Sequence, residues 1–259
     1  MFVIVVMVAM EAELVHLGRL AGAATRILMA HRPMYEMAIG GHDVIAVRSG
    51  IGMLNAASAT ERAIAELAPE IILNFGCAGA HRRDIMPGDL VIGSTTVYAT
   101  STNILRDGTE VHNARGHEVA GERIWPAEID ADSTLLTKAQ SIADGFPFEP
   151  WPADRFWPAD VPRRDPIVHV GPIASSEIWT QQLERLDVLH GRHQTLSEDM
   201  ESAAIAHVAL LHGVPYLSIK DISNNEYHAP SDLSGFNDFP TEEVGKRAAA
   251  LVAALITTL

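Results

Sequence analysis

A single cysteine, Cys77, is all the thiol chemistry that this 259-residue chain holds. One cysteine excludes an intrachain disulfide and any cysteine-rich metal site, and it fits a reducing compartment such as the cytoplasm. Basic residues are also scarce: 19 Lys and Arg stand against 33 Asp and Glu, a formal net charge of −14. A phosphate backbone or an anionic membrane surface is repelled by that balance unless a basic patch exists. The only clusters, Arg82-Arg83 and Arg163-Arg164, are isolated pairs, so neither a nucleic-acid nor a membrane partner is expected. No hydrophobic run is long enough to span a bilayer. The apolar opening, Met1 to Met10, has no basic residue and runs directly into Glu11 and Glu13, which reads as a buried strand. Gly-x-Ser-x-Gly elbows and Walker loops are absent. Among the 12 histidines, His190 with His193 and His112 with His117 are close pairs. Neither has helical i, i+4 spacing or an obvious third ligand, so no metal and no cofactor are expected.

What the chain does have is apolar mass. Hydrophobic residues make up 47% and the mean hydropathy is +0.10, enough for one α/β domain spanning residues 1–259. Phe2 to Ala9 is β-branched without alternation, the pattern of a strand covered on both faces. Short strands are read at 26–30, 34–39 and 43–47, then a helix at 54–67 and a strand at 70–75. Residues 89–100 continue the sheet, 101–126 form a loop or loose hairpin, and 132–143 are helical. Strands follow at 167–174 and 214–220, and Thr241 to Leu259 is the last helix. One segment stands apart: Phe146 to Pro166 carries six prolines among Trp151, Phe156 and Trp157, and little regular structure is expected there.

Chemistry gathers at the strand ends, where sites in open α/β sheets lie. Ser197-Glu198-Asp199-Met200-Glu201 places three carboxylates before an almost wholly apolar helix. An N-cap accounts for one acid; Glu201, beside Met200 at the start of that helix, needs a partner or a ligand. Asp199 suits the cap and Glu198 reads as solvated surface. Glu11 and Glu13 follow the first strand, either as acids favouring a helix N-terminus or as site groups. Ser49-Gly50-Ile51-Gly52 is a glycine turn before a helix, a pattern that any tight turn also needs. Small residues in Asn74-Phe75-Gly76-Cys77-Ala78-Gly79 leave room for a flat ligand or simply pack a strand-helix junction. With no nearby His or Lys in sequence, Cys77 reads as filler rather than a nucleophile. Trp179 follows the strand ending in Ser175-Ser176, where an indole serves equally for base stacking or for core. Asp221-Ile222-Ser223-Asn224 closes another strand.

The order and spacing of Ala9-Met10-Glu11-Ala12-Glu13, Ser49-Gly50-Ile51-Gly52, Gly76-Cys77-Ala78-Gly79, Asp199-Met200-Glu201 and Ile222-Ser223-Asn224 resemble the purine nucleoside phosphorylase/uridine phosphorylase superfamily. The chain is most similar to its methylthioadenosine/S-adenosylhomocysteine nucleosidase branch. The resemblance runs from Met1 to about Glu226 and implies a three-layer sandwich, a central mixed and twisted sheet flanked by helices. The segment at about 146–166 has no counterpart in compact members. By resemblance, Glu13 activates the attacking water, Glu201 holds the ribose hydroxyls, Met200 lies against the sugar and Trp179 stacks on the base. Met10, Ile51, Cys77, Ala78, Gly79, Asp199 and Ser223 complete the implied substrate-binding set. A cofactor-free, cytoplasmic, homodimeric purine nucleosidase is therefore expected.

Two departures qualify the substrate. Asn224 stands where the similar nucleosidases carry a base-protonating aspartic acid; futalosine hydrolases and several purine nucleoside phosphorylases resemble this chain in having asparagine there. An amide donates and accepts hydrogen bonds but transfers no proton, which suits a 6-oxopurine, or a leaving base protonated by water or by a neighbour such as Asp221. Lys220 also replaces the usual arginine. Against phosphorolysis, Met10-Glu11-Ala12-Glu13 and Asn74-Phe75 occupy the places where phosphorylases carry arginine-bearing loops, although Arg48 and Arg82 remain possible anion ligands. A non-catalytic nucleoside sensor is the rival from another class. The 5′-substituent pocket is expected from residues 101–126, Phe236 and Phe239.

Overall fold

The first strand shows why the molecule has three layers. In β1 (Val3–Val8), Ile4, Val6 and Val8 enter one apolar core while Val5 and Met7 enter the other. A strand buried on both faces is what its unbroken apolar run requires. The computed structural model describes residues 2–21, 24–29, 31–114, 116–152, 157–159, 161–231 and 240–259.

Along the chain follow α1 (Glu11–Ala21), β2 (Ala24–Met29), β3 (Arg32–Ile39), β4 (His42–Arg48), α2 (Met53–Leu67), β5 (Ile71–Ala80) and β6 (Leu90–Tyr98). The middle holds β7 (Thr102–Ile104), β8 (Glu110–His112), β9 (His117–Val119), β10 (Glu122–Ile124), β11 (Glu128–Asp130) and α3 (Ser133–Ala143). The last third holds β12 (Val168–Ser175), α4 (Leu183–His193), β13 (Ser197–Asp199), α5 (Ser202–His212), β14 (Tyr216–Asn224) and α6 (Lys246–Ile256). Helices α1, α3 and α6 cover one face of the sheet; α2 and α5 cover the other.

The mixed sheet runs β2-β3-β4-β1-β5 and then closes on itself. β5 pairs with β14, β14 with β6, β6 with β12, β12 with β13, and β13 again with β5. This closure brings the ends of β5, β12, β13 and β14 to one place. Gly79 of β5 sits opposite both Glu198 and Asn224.

Several elements differ from the sequence reading. Gly76 to Ala80 belong to β5 rather than to a turn after it, because β13 and β14 hydrogen-bond them on either side. Ser197 to Asp199 is likewise a short strand and not the approach to a helix. Residues 101–126 resolve into two small hairpins, β7 with β8 and β9 with β10, apart from 115, which is outside the described residues. α4 is an element that the sequence reading leaves unassigned, although Leu186 and Leu189 form its buried stripe. The last helix begins at Lys246, not Thr241: Gly245 adopts φ 74°, where a side chain is disfavoured. A Cβ there would come within 3.2 Å of Glu13 Cβ and 3.1 Å of its Cγ. The 146–166 segment, outside the undescribed 153–156 and 160 (Phe156 among them), packs back on the body. Trp151 is buried, with the Arg247 guanidinium 5.0 Å from its ring centroid.

Candidate active site

Glu13, in the first turn of α1, is 2% exposed. Its Oε2 accepts from the Met10 N–H at 2.9 Å and its Oε1 from the Cys77 N–H at 2.9 Å. The carboxyl therefore bridges the end of β1 and the middle of β5. A Cβ on Gly76 would stand 2.6 Å from Glu13 Oε1, so the glycine makes room for the acid. Burial raises the Glu13 pKa above the ordinary carboxyl value, opposed by the charge of Lys220 and the two N–H donors.

Across the site, Glu201 occupies the N-cap position of α5 without capping it. Its Oε1 instead accepts from the Gly52 N–H at 2.8 Å, at the start of α2. Asp199 serves α5, accepting from the Ser202 N–H at 3.2 Å and from the hydroxyls of Ser175 and Ser202. Lys220, 1% exposed, sets Nζ 2.7 Å from Asp199 Oδ2. Burial alone would lower this ammonium's pKa, but the carboxylates of Asp199, Glu201 and Glu13 raise it above the usual lysine value. Burial and the neighbouring Asp199 push Glu201 up to about 7, with Lys220 and the Gly52 N–H pulling the other way. Cys77 lies in the same field, and burial together with Glu13 holds its thiol well above the ordinary range, in keeping with its reading as filler. Three buried carboxyls thus share a single buried ammonium.

A second group forms where β5 and β14 end. Ser223 Oγ donates to Asn224 Oδ1 at 2.7 Å and lies 3.3 Å from the Ala78 carbonyl. Asn224 Nδ2 donates to Glu226 Oε1 at 2.9 Å and lies against Gly79. Trp179, 37% exposed, donates its indole Nε1–H to the same Glu226 oxygen at 3.3 Å. Met200 and Met10 are half-buried and Ile51 is exposed at the glycine turn.

Asp221 is not brought to either group. Alternation along β14 sends it to the face opposite Lys220, where its Oδ2 accepts from the Arg247 N–H of α6 at 2.8 Å. Burial pushes its pKa up to about 7 despite Arg247. Glu198 is not solvated surface: it accepts from the Thr180 N–H at 2.8 Å and faces His81 Nε2 at 3.3 Å. Arg48 pairs with Glu11 at 2.5 Å, and Arg82 forks onto Asp84 at 2.9 and 2.5 Å, so both arginines are engaged by acids. Phe236 and Phe239 lie outside the described residues. The histidines pair edge-on, His112 with His193 and His117 with His207; among the described residues no three or more His, Cys, Asp or Glu are arranged to hold a metal ion. Sequence reasoning did not single out Glu226, which is recognised only through its partners, Asn224 at the strand end and Trp179 far away in the chain.

The sequence pattern of the phosphorylase superfamily matches residues 3–257. The chain belongs to the phosphorylase superfamily. Within it, this protein is 28% identical over 217 residues to the 5′-methylthioadenosine/S-adenosylhomocysteine nucleosidase of Anoxybacillus flavithermus, covering 83% of this chain and 82% of the relative. The superfamily fold is shared with the Neisseria meningitidis nucleosidase in complex with methylthio-immucillin-A, at TM-score 0.77 and 24% identity over the whole of both chains. It is shared equally with the futalosine hydrolase of Helicobacter pylori, at TM-score 0.77 and 19% identity over 100% of this chain and 98% of that one.

Proposed function

We propose that this superfamily member is a purine nucleoside N-ribohydrolase that cleaves the glycosidic bond of a 5′-modified adenosine such as methylthioadenosine or S-adenosylhomocysteine. The observation that carries hydrolysis is the cluster of Glu13, Asp199 and Glu201 around the lone ammonium of Lys220. A phosphate dianion entering it meets more negative than positive charge, whereas neutral water and ribose hydroxyls do not.

In this reading Glu201 grips the ribose hydroxyls, with Met200 against the sugar. As the C1′–N9 bond breaks, its electron pair leaves with the base and positive charge develops on the ribose, which the nearby carboxylates stabilise. Glu13 orients a water toward C1′ and takes its proton as the new C–O bond forms. Trp179 stacks on the base and Asn224 donates a hydrogen bond to it, while the proton that neutralises the base comes from solvent. Ser223 and the Cys77-Ala78-Gly79 run of β5 line the base pocket, and Ile51 closes the sugar side.

A 6-oxopurine nucleoside is the second reading, favoured by one observation. The Asn224 carbonyl accepts from Ser223 and its NH₂, one hydrogen of which goes to Glu226, is the donor side of the amide, which suits an acceptor at C6. Release of free base from methylthioadenosine, S-adenosylhomocysteine and inosine, compared by kcat/KM, decides between them. Preference for the adenosine substrates supports the first reading and preference for inosine the second.

A cytoplasmic homodimer belongs to the same proposal. Its support is the unpaired Cys77 and an apolar cavity of about 220 Å³ between α2 and α5, bordered by the exposed Leu54 and Tyr98. Among the described residues no helix is long and apolar enough to cross a membrane.

A further inference from the structure

Glu226 is an acid for which the mechanism above has no use. It is only 7% exposed, and every hydrogen bond it makes among the described residues is as an acceptor. Oε1 receives Asn224 Nδ2 at 2.9 Å, Trp179 Nε1 at 3.3 Å and Ser231 Oγ at 2.5 Å. Oε2 receives the Ser231 N–H at 2.9 Å and Gln181 Nε2 at 3.5 Å. One buried carboxylate therefore ties together the ring and the amide that the proposed function assigns to the base.

That arrangement settles which way the Asn224 amide points. A carboxylate can only accept, so the group facing Glu226 is the NH₂ and not the carbonyl. The Ser223 hydroxyl then occupies the carbonyl oxygen. Of the two amide hydrogens one is spent on Glu226, leaving the other to meet a ligand. Without Glu226 the amide is free to turn over and present its carbonyl to the base, which repels a lone pair at N7 and offers nothing to the negative charge that develops on the departing purine.

We propose that Glu226 is a positioning residue that locks Asn224 as a hydrogen-bond donor to the leaving base and holds the Trp179 ring beside it. The inference rests on the nucleosidase reading and adds the group that makes an asparagine serviceable where a proton donor is absent. Charge assists it: an anion behind the amide polarises its N–H bonds and strengthens the remaining donor.

The experiment compares wild type, Glu226→Ala, Glu226→Gln and Asn224→Ala on a purine nucleoside and on 4-nitrophenyl riboside, whose leaving group has no N7 and departs without help. Glu226→Ala is expected to lower kcat on the purine nucleoside roughly 10- to 100-fold, the scale of one charge-assisted hydrogen bond. It is expected to lower kcat on the nitrophenyl riboside far less. Glu226→Gln, which keeps an acceptor oxygen, is expected to retain more activity than Ala, and adding Glu226→Ala to Asn224→Ala should cost little further. Equal losses on both substrates, or full additivity of the two alanine variants, would overturn the proposal by making Glu226 a merely structural acid. Should Glu226→Ala fail to fold, the Gln variant carries the same two-substrate comparison. Wild-type protein that releases no base from any purine nucleoside would overturn the nucleosidase reading itself, a result distinct from unequal variants of an active enzyme.

Discussion

Glu201, at the N-cap position of α5, directs its carboxylate away from its own helix to the N–H of Gly52 at the start of α2, 2.8 Å away and 149 residues distant in sequence. The two helices that cover one face of the sheet are thus joined at their N-termini by the side chain proposed to hold the ribose. The acid lies near the positive ends of two helix dipoles, and burial, with Asp199 and Glu13 beside it, still pushes its pKa up to about 7.

Glu13→Gln keeps the shape and one acceptor oxygen, enough for the Met10 or the Cys77 N–H but not for both, and cannot take a proton. Turnover is expected to fall roughly 100- to 10,000-fold, the usual worth of a general base, while calorimetry still detects nucleoside binding. A variant with unchanged turnover would remove Glu13 from the chemistry.

Gly76→Ala tests the same carboxyl without touching it. The added Cβ would stand 2.6 Å from Glu13 Oε1, so the acid must move. Misplacement of a reacting group by about 1 Å costs on the order of 100-fold, and kcat is expected to fall by that order. Wild-type rates in this variant would show that the position of Glu13 is not critical.

Lys220→Met removes the one ammonium among Glu13, Asp199 and Glu201. Loss of one partner from a buried ion pair costs roughly 3–5 kcal/mol, and denaturant unfolding at neutral pH should report a loss of that size. Because the orphaned carboxyls then favour protonation, the deficit should shrink as the pH is lowered. A variant as stable as wild type at neutral pH would contradict the account of the cluster.

Asp221 makes a prediction about stability rather than catalysis. Its pKa is raised from 3.8 to about 7 by burial, so the folded protein holds a proton that the unfolded chain releases. The contribution to stability is complete below the unfolded value and is lost as the pH rises through the folded one. Asp221→Asn should therefore flatten the decline in stability between about pH 4 and pH 7. Urea unfolding across that range checks it, and a parallel decline in both proteins would refute the assignment.

Much of this site could be read from the chain because its members follow strand ends. The run of small residues 76–79 marked a place where backbone lies open, and Glu201 in an apolar helix marked a charge in need of a partner. Both inferences depend on local chemistry. What stayed hidden depends on closure of the sheet. That β5 continues to Ala80 follows from β13 and β14 pairing with it on opposite sides, a long-range fact that no local pattern encodes. For the same reason Glu198 looked like surface, since the histidine that faces it, His81, is 117 positions away (198 less 81). Asp221 and Asn224 are close in sequence, but strand alternation sends Asp221 to Arg247 instead. Glu226 carries no signal of its own, since its donors Trp179, Gln181 and Ser231 meet it only in the folded chain.

The central claim, that the site hydrolyses a purine nucleoside with water as nucleophile, is tested most directly by running the reaction in ¹⁸O-labelled water with and without inorganic phosphate. Free base should appear at the same rate in both, with one label on the C1′ hydroxyl of the released sugar. Dependence on phosphate, with ribose 1-phosphate as the product, would contradict it.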